Sequence, residues 1–244
     1  MAYKEVTGNL FASNAKALVN TVNCVGAMGK GIALEFRRRF PEMFKQYQVD
    51  CENKKLVPGR IYSYQSQDRL ILNFAIKDDW KYPSKIAWIE SSLKQFAAHY
   101  KQKGISSVAF PWMGADNGGI PLEIIQSTTR KHLQPLKDIN IEVYSFDPIA
   151  YDPLFETLQK IALAEDPDKY QAGSGVQGKA FLQIINAVRS QSVKGMSQIS
   201  KIDGIGKTTV DKLYIFLSKQ LQDTERVDGD KINPSEIQLT LFEL

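Results

Sequence analysis

Cysteine and histidine are scarce in this 244-residue chain, which holds two of each: Cys24 and Cys51, His99 and His132. Without a CxxC pair or a denser cysteine pattern, a disulfide framework is excluded, and a reducing, cytoplasmic setting is expected. Both histidines fall on segments of helical period and share no ligand spacing, so no metal site is expected. No cofactor is indicated either. No apolar run approaches the ~20 residues that span a bilayer, so no membrane partner is expected. The opening MAYKEVTGNL lacks the apolar stretch of a signal peptide. The chain also has no GxSxG nucleophile elbow, which removes one common route to Ser/His/Asp catalysis.

Net charge is low at +4, too small to mark a nucleic-acid protein by itself. Its distribution says more. Up to position 150 there are 20 basic against 14 acidic residues; residues 151–221 have 9 against 7, and residues 222–244 have 2 against 6. A basic body favours anionic ligands, and the tail is acidic.

Hydrophobic residues make up 43 % of the chain, enough for a sizeable core. Strand-like segments are predicted at Ala17–Val22, Ile61–Tyr64, Leu70–Phe74, Ser107–Pro111 and Ile141–Phe146. Helical period is predicted over Gly29–Phe40, with Arg37, Arg38 and Arg39 as a basic cluster, and over Ile86–Lys101 and Leu122–Leu136. Alternating strands and helices imply an α/β fold for residues 1–150, a mixed sheet flanked by helices. After Asp147-Pro148 the pattern becomes all-α. Helices are predicted over Pro153–Ala164, Lys179–Ser190 and Val210–Gln220, with a Gly/Ser/Pro linker at Asp166–Gly178. Residues 151–221 are expected to form a small helical domain, and 222–244 a flexible tail.

Two glycine turns stand out. The first, Asn20-Thr-Val-Asn23-Cys-Val-Gly26-Ala-Met28-Gly29-Lys30-Gly31-Ile32, follows a strand and opens a helix. The second, Pro111-Trp-Met-Gly114-Ala115-Asp116-Asn117-Gly118-Gly119-Ile120, does the same. Glycines let backbone N–H groups approach an anion, and a helix N-terminus favours negative charge. Such turns sit at the carboxyl ends of strands, where open α/β sheets bind ligands. Two in one sheet could grip a diphosphate from opposite sides. Neither matches the phosphate-loop or dinucleotide fingerprint in register.

Gly8-Asn9-Leu10-Phe11, the run Ala17–Gly26 and Met28-Gly29-Lys30-Gly31-Ile32-Ala33 resemble the opening of a macrodomain. More narrowly they resemble the bacterial DNA ADP-ribosyl glycohydrolases of the DarG type. The resemblance continues through Phe40-Pro41, Pro58-Gly59-Arg60 and Asn73-Phe74-Ala75-Ile76-Lys77 to the second glycine turn, over roughly residues 4–147. It implies ADP-ribose as the ligand. Gly26, Met28, Gly29, Lys30, Gly31 and Ile32 would carry the diphosphate and distal ribose, and residues Gly114 to Gly119 would close over the phosphates. Asn9 and Leu10 would lie near the adenine. Phe146 would stack on it or join the core.

The resemblance also implies chemistry: removal of ADP-ribose from a base in DNA, in repair or as the antitoxin to a DNA ADP-ribosyltransferase toxin. Lys77 would attack the opened ribose and form a covalent intermediate. A lysine beside apolar walls can have the lowered pKa that a nucleophile needs; by position alone Lys77 reads as an exposed loop lysine. Asn20 and Asn23 are the candidates to orient the ribose, Asn23 first, though asparagine in such a place also caps turns. The chain departs from the family's Asn-Phe-Pro-Thr-Lys at Ala75 and Ile76, and its second turn lacks the usual Gly-Cys-Gly-Leu-Gly-Gly. A non-catalytic ADP-ribose-binding module, or a clamp-associated scaffold, is the alternative.

Residues 196–213 resemble a helix-hairpin-helix, with Gly204-Ile205-Gly206 between two amphipathic helices. That resemblance implies that Gly204, Gly206, Lys207 and Thr208 contact a DNA phosphate without reading sequence; a plain packing hairpin would look similar. The final Gln238-Leu239-Thr240-Leu241-Phe242 resembles the bacterial sliding-clamp-binding peptide. Gln238, Leu239, Leu241 and Phe242 would be its anchors, reaching a preformed pocket through a flexible linker. Alternatively the segment folds back onto the body.

Overall fold

The structure is a computed structural model that describes residues 2–66, 69–227 and 240–241. Strands β1 (Tyr3–Gly8) and β2 (Ala17–Val22) flank a 3-10 turn at Leu10–Ala12. Helices α1 (Gly31–Arg39) and α2 (Pro41–Glu52) precede the paired strands β3 (Ile61–Gln65) and β4 (Leu70–Ala75). Then come α3 (Ile86–His99), β5 (Ser107–Pro111), α4 (Leu122–Leu133) and β6 (Asn140–Phe146). Helices α5 (Pro153–Ala162), α6 (Gln171–Ser174), α7 (Gly178–Arg189) and α8 (Lys207–Val227) follow, and β7 (Thr240–Leu241) is the last strand.

The sheet order is β1-β6-β5-β2-β4-β3-β7. Strand β2 runs parallel to β4 and β5, and β5 parallel to β6, while β3 is antiparallel to β4. The parallel set sends the ends of β2, β4 and β5 to one edge of the sheet, which is where ligands bind in such folds. Side chains alternate in direction along each strand. Ala17, Val19, Leu72 and Phe74 pack with Phe96 of α3 and Ile125 of α4. Leu18, Val22, Ile71 and Ala75 pack with Phe36 of α1 and with Met43 and Tyr47 of α2. The sheet is therefore covered on both faces. On the α3 side, Phe110 meets Phe74 and Phe96 edge-on at 5.7 and 5.3 Å, the arrangement that aromatic quadrupoles favour.

Two elements go beyond the sequence expectation. Strand β1 lies at the sheet edge with most residues partly or fully exposed, so it lacks a clear apolar alternation. Helix α2 begins where the first helix was expected to stop. Pro41 occupies its first turn, where its missing N–H costs nothing. Met43, Tyr47, Asp50 and Cys51 then bury one face at helical spacing. Two of the three arginines in the expected basic cluster are not a solvated patch. Arg38 and Arg39 are nearly buried and reach Glu35, and Arg39 lies over the Phe11 ring at 4.2 Å.

The described residues divide into two compact units between Ser145 and Phe146, with β7 belonging to the first. The second has its own core, including Leu158, Phe181, Ile184, Leu213, Tyr214 and Leu217. The expected linker is largely structured. Pro167–Tyr170 forms a 3-10 turn that runs into α6, Val176 is buried, and Gln171 donates to the Val176 carbonyl at 2.9 Å. Composition misled here because glycine at 175 ends the helix in a left-handed conformation (φ 64°), a C-cap rather than a loop. The first leg of the expected helix-hairpin-helix is a 3-10 element, Met196–Lys201, not an α-helix. Gly204 takes φ 75°, Ile205 is buried, and α8 runs to Val227, into the segment expected to be a flexible tail. Among the described residues no helix is long and apolar enough to cross a membrane.

Candidate functional site

Three loops leave the carboxyl edge of the sheet: residues 23–30 after β2, 76–85 after β4 and 112–121 after β5. Backbone bonds tie them together. Cys24 N donates to Asp78 O at 2.9 Å, and Ser84 N donates to Gly118 O at 2.9 Å. The middle loop is thus fastened to both glycine turns.

The first turn is shaped by Asn23. Its Oδ1 accepts from the N–H groups of Val25 and Ala27 at 3.0 and 3.2 Å, and its Nδ2 donates to Ala27 O at 2.5 Å. Tyr47 of α2 sets its hydroxyl 2.8 Å from the Asn23 carbonyl and 3.0 Å from Oδ1. The side chain of Asn23 is therefore occupied in holding the loop, the turn-capping role. Gly26 takes φ 78°, a left-handed conformation glycine adopts without strain. Met28 is buried beneath the turn, whereas Gly29 faces open space. Lys30 is exposed and precedes α1 with no side-chain cap, and the first turn of α1 has no acidic residue. Gly31 opens α1 without a cap bond from the Lys30 side chain, and a helix N-terminus is the kind of place that receives an anion. Ile32 packs against the core below.

Asn20 is wholly buried and donates to Asn73 Oδ1 at 2.8 Å, opposite it in the β2–β4 register. Among the described residues, Asn20 Oδ1 and Asn73 Nδ2 have no hydrogen-bond partner. Asn20 thus joins two strands under the first turn instead of lying on an exposed ribose surface.

The second turn doubles back on itself. Ile120 N donates to Gly114 O at 3.1 Å and Gly119 N to Asp116 O at 3.3 Å. Gly114 (φ 89°) and Gly119 (φ 73°) are left-handed. A Cβ on Gly118 would fall 2.3 Å from Gly114 O, so only glycine fits there. Ala115 packs against the core, while Asp116 and Asn117 are exposed. The two turns meet: Asn117 Nδ2 lies 2.7 Å from where a Cβ on Gly31 would be.

Lys77 emerges just past β4, partly buried, and its Nζ donates to Asn117 O at 2.6 Å. Burial holds its amine below the usual lysine range. Ala75 and Ile76, the positions that depart from the family pattern, are buried in the two apolar cores. Their side chains serve packing. Asn9 caps the 3-10 turn by accepting from Phe11 N at 3.0 Å, and Leu10 is buried. Phe146 ends β6 with 63 % of its surface exposed, so it is not a core residue.

Sequence reasoning missed Tyr47, Asn73 and Ser84, whose roles arise only from tertiary pairing, and the aromatic residues Trp80 and Tyr82 beside Lys77. The run Lys77-Asp-Asp-Trp80 was the available signal for the latter. In the second unit, Gly204, Gly206, Lys207 and Thr208 are exposed at the start of α8. Gln238, Leu239 and Phe242 lie outside the described residues; Leu241 pairs with Tyr62 of β3. Among the described residues no group of three His, Cys, Asp or Glu could hold a metal ion.

Residues 19–129 match the family model described as Macro domain. A DNA ADP-ribosyl glycohydrolase of Thermus aquaticus is 38 % identical over 148 residues, covering 59 % of this chain and 41 % of that protein. The chain thus spans about two fifths of the length of this curated relative. The solved macrodomain of Mycobacterium tuberculosis DarG is 37 % identical, covers 59 % of this chain and 97 % of that one, and superposes with a TM-score of 0.57. Thermosipho africanus DarTG in complex with ADP-ribose is 30 % identical over 63 % of this chain and 44 % of that one, with a TM-score of 0.55. With the sheet, the paired glycine turns and these likenesses together, the chain belongs to the macrodomain family.

Proposed function

We propose that the first unit binds ADP-ribose between the two glycine turns and hydrolyses its bond to a base in DNA. One observation carries this reading: the Lys77 amine lies 2.6 Å from the carbonyl of Asn117, the residue at which the two turns meet. A diphosphate held by the N–H groups of residues 29–32 and 114–119 would bring its distal ribose to that amine. Asn23, fixed by Tyr47, keeps the first turn in shape. Asn9 and Leu10 would lie near the adenine.

In the proposed reaction the neutral Lys77 amine attacks the anomeric carbon of the opened ribose and forms a covalent bond to it. The bond from that carbon to the base breaks, its electron pair stays on the base, and the base takes the proton that the lysine nitrogen gives up. Water then replaces lysine at the carbon, giving ADP-ribose and restoring the amine. The lowered amine pKa supports this role. So do the names of the Thermus aquaticus relative, a DNA ADP-ribosyl glycohydrolase, and of the Thermosipho africanus complex with ADP-ribose. The partner class follows from the chemistry: a DNA ADP-ribosyltransferase makes the bond that this site breaks.

We further propose two delivery devices. The exposed start of α8, with Gly204, Gly206, Lys207 and Thr208, would hold a DNA phosphate. Residues 238–242 would bind the sliding clamp once Thr240 and Leu241 leave their pairing with Ser63 and Tyr62 of β3. Their likeness to a clamp-binding peptide supports the second assignment.

The test is release of ADP-ribose from an ADP-ribosylated oligonucleotide. Wild type should release it, and Lys77→Ala should bind free ADP-ribose yet release none. Binding without release by wild type would leave a non-catalytic module. Full turnover by Lys77→Ala would remove the nucleophile assignment.

A further inference from the structure

The middle loop carries two aromatic residues that the ligand site as described does not use. Trp80 is 57 % exposed and Tyr82 66 % exposed, three and five residues beyond Lys77. Single exposed aromatics need no explanation. These two are different because the loop is fixed. It is tied to the first glycine turn through Cys24 N–Asp78 O and to the second through Ser84 N–Gly118 O, each 2.9 Å. Inside it, Tyr82 N donates to Asp79 O at 3.2 Å and Lys81 N to Asp79 Oδ1 at 2.9 Å, closing a turn. Exposed rings on a loop whose backbone is fastened to both glycine turns, three and five residues after Lys77, offer a surface to a partner.

The charges around them narrow the occupant. Lys81 Nζ sits 5.6 Å from the Trp80 ring centroid, and Lys85 Nζ 4.6 Å from that of Trp88. Tyr82, Lys85 and Trp88, with Asp78 and Pro83, line a groove of about 360 Å³, within the ~300–1,000 Å³ common for small-molecule sites. Lysines interleaved with aromatic faces suit the bases and phosphates of an unpaired nucleic-acid strand, whose bases stack on rings while cations track the backbone. A protein partner would instead call for a continuous apolar patch, and here lysines overlie the Trp80 and Trp88 rings. We propose that Trp80 and Tyr82 form a stacking platform for nucleotides next to the base that bears ADP-ribose, with Lys81 and Lys85 on their phosphates. The proposal rests on the reading of Lys77 and the glycine turns given above.

The experiment uses the full chain with Trp80→Ala, Tyr82→Ala and Trp80→Phe. The substrate is a short single-stranded oligodeoxynucleotide bearing one ADP-ribosylated base. Each alanine variant should raise KM for this substrate by about tenfold, with free ADP-ribose Kd held within twofold by calorimetry and the melting temperature unchanged. Trp80→Phe should retain most of the affinity, because a ring remains. An unmodified oligonucleotide should quench tryptophan fluorescence in wild type, and less so in Trp80→Phe. An unchanged KM in both alanine variants would overturn the proposal, including the case in which a protein partner is found to cover the loop. An equal loss of free ADP-ribose affinity would overturn it too, because the rings would then belong to the nucleotide pocket. If wild type failed to bind ADP-ribose, the parent reading would fall, while the quenching by unmodified oligonucleotide would still decide the platform.

Discussion

Gly118→Ala tests the geometry most directly. The added Cβ would lie 2.3 Å from Gly114 O, 2.4 Å from Gly114 Cα and 2.6 Å from Gly114 C, all backbone atoms that no rotamer change can remove. The second turn must therefore open by the order of 1 Å. That movement strains the bond from Ser84 N to Gly118 O and the bond from Ile120 N to Gly114 O, each worth about 0.5–1.5 kcal/mol net. It also shifts Asn117, whose carbonyl holds Lys77. Overpacking of this kind costs about 1–3 kcal/mol, so the first unit should melt several degrees lower. The larger effect should fall on ligand affinity. If the diphosphate needs both turns, calorimetry should show ADP-ribose Kd rising at least tenfold, a further ~1.4 kcal/mol. Gly104→Ala is the control, because Gly104 is also left-handed (φ 64°) but has nothing within 4 Å. It should cost about 1 kcal/mol of stability and leave ADP-ribose affinity alone. Wild-type affinity in Gly118→Ala, with the lowered melting point confirmed, would remove the second turn from the site.

Gly29→Ala should do the reverse of Gly104→Ala: its Cβ meets nothing within 4 Å among the described residues, so melting should be unchanged, while ADP-ribose Kd rises if ligand fills that space. Turnover should climb with pH and level off at a midpoint below the 10.5 of free lysine, because burial disfavours the charged amine and the neutral form attacks. Lys77→Arg should be inactive across the same range, since a guanidinium does not lose its proton; a rate that falls with rising pH would contradict an amine nucleophile. Cys24 and Cys51 should react slowly with thiol reagents at pH 8 in the native protein, because burial pushes their thiols up to about 12 and about 11. Reaction at the rate of the unfolded chain would show that the fold does not shield these thiols.

How much of this was legible depended on the range over which each cause acts. Ala17–Val22 and Ser107–Pro111 form strands within the limits that apolar continuity set. The glycine turns announced themselves because left-handed backbone and close approach demand glycine at fixed places, and Gly26, Gly31, Gly114 and Gly119 all take positive φ. Strand β1 was missed because a half-exposed edge strand carries little alternation. Helix α2 was missed because α1 and α2 abut at Phe40 with no turn residues between them. The linker composition at 166–178 proved to be a capped helical turn, since glycine signals a cap as readily as a loop.

The site itself is assembled by pairings that no local pattern encodes. Tyr47 meets Asn23 across 24 positions, Asn20 meets Asn73 across 53, and Lys77 meets Asn117 across 40. A motif can nominate Lys77, but its surroundings depend on where β4 ends relative to β5, which is a property of sheet order. The same cause decides the fate of the substitutions at Ala75 and Ile76. Read along the chain they look like losses next to a nucleophile. In the sheet they point into the two cores, one to each face, where the hydroxyl of a threonine would need a partner and an isoleucine needs none. The amine's partner is supplied instead by the facing turn: Lys77 Nζ donates to the carbonyl of Asn117, 40 positions away in sequence.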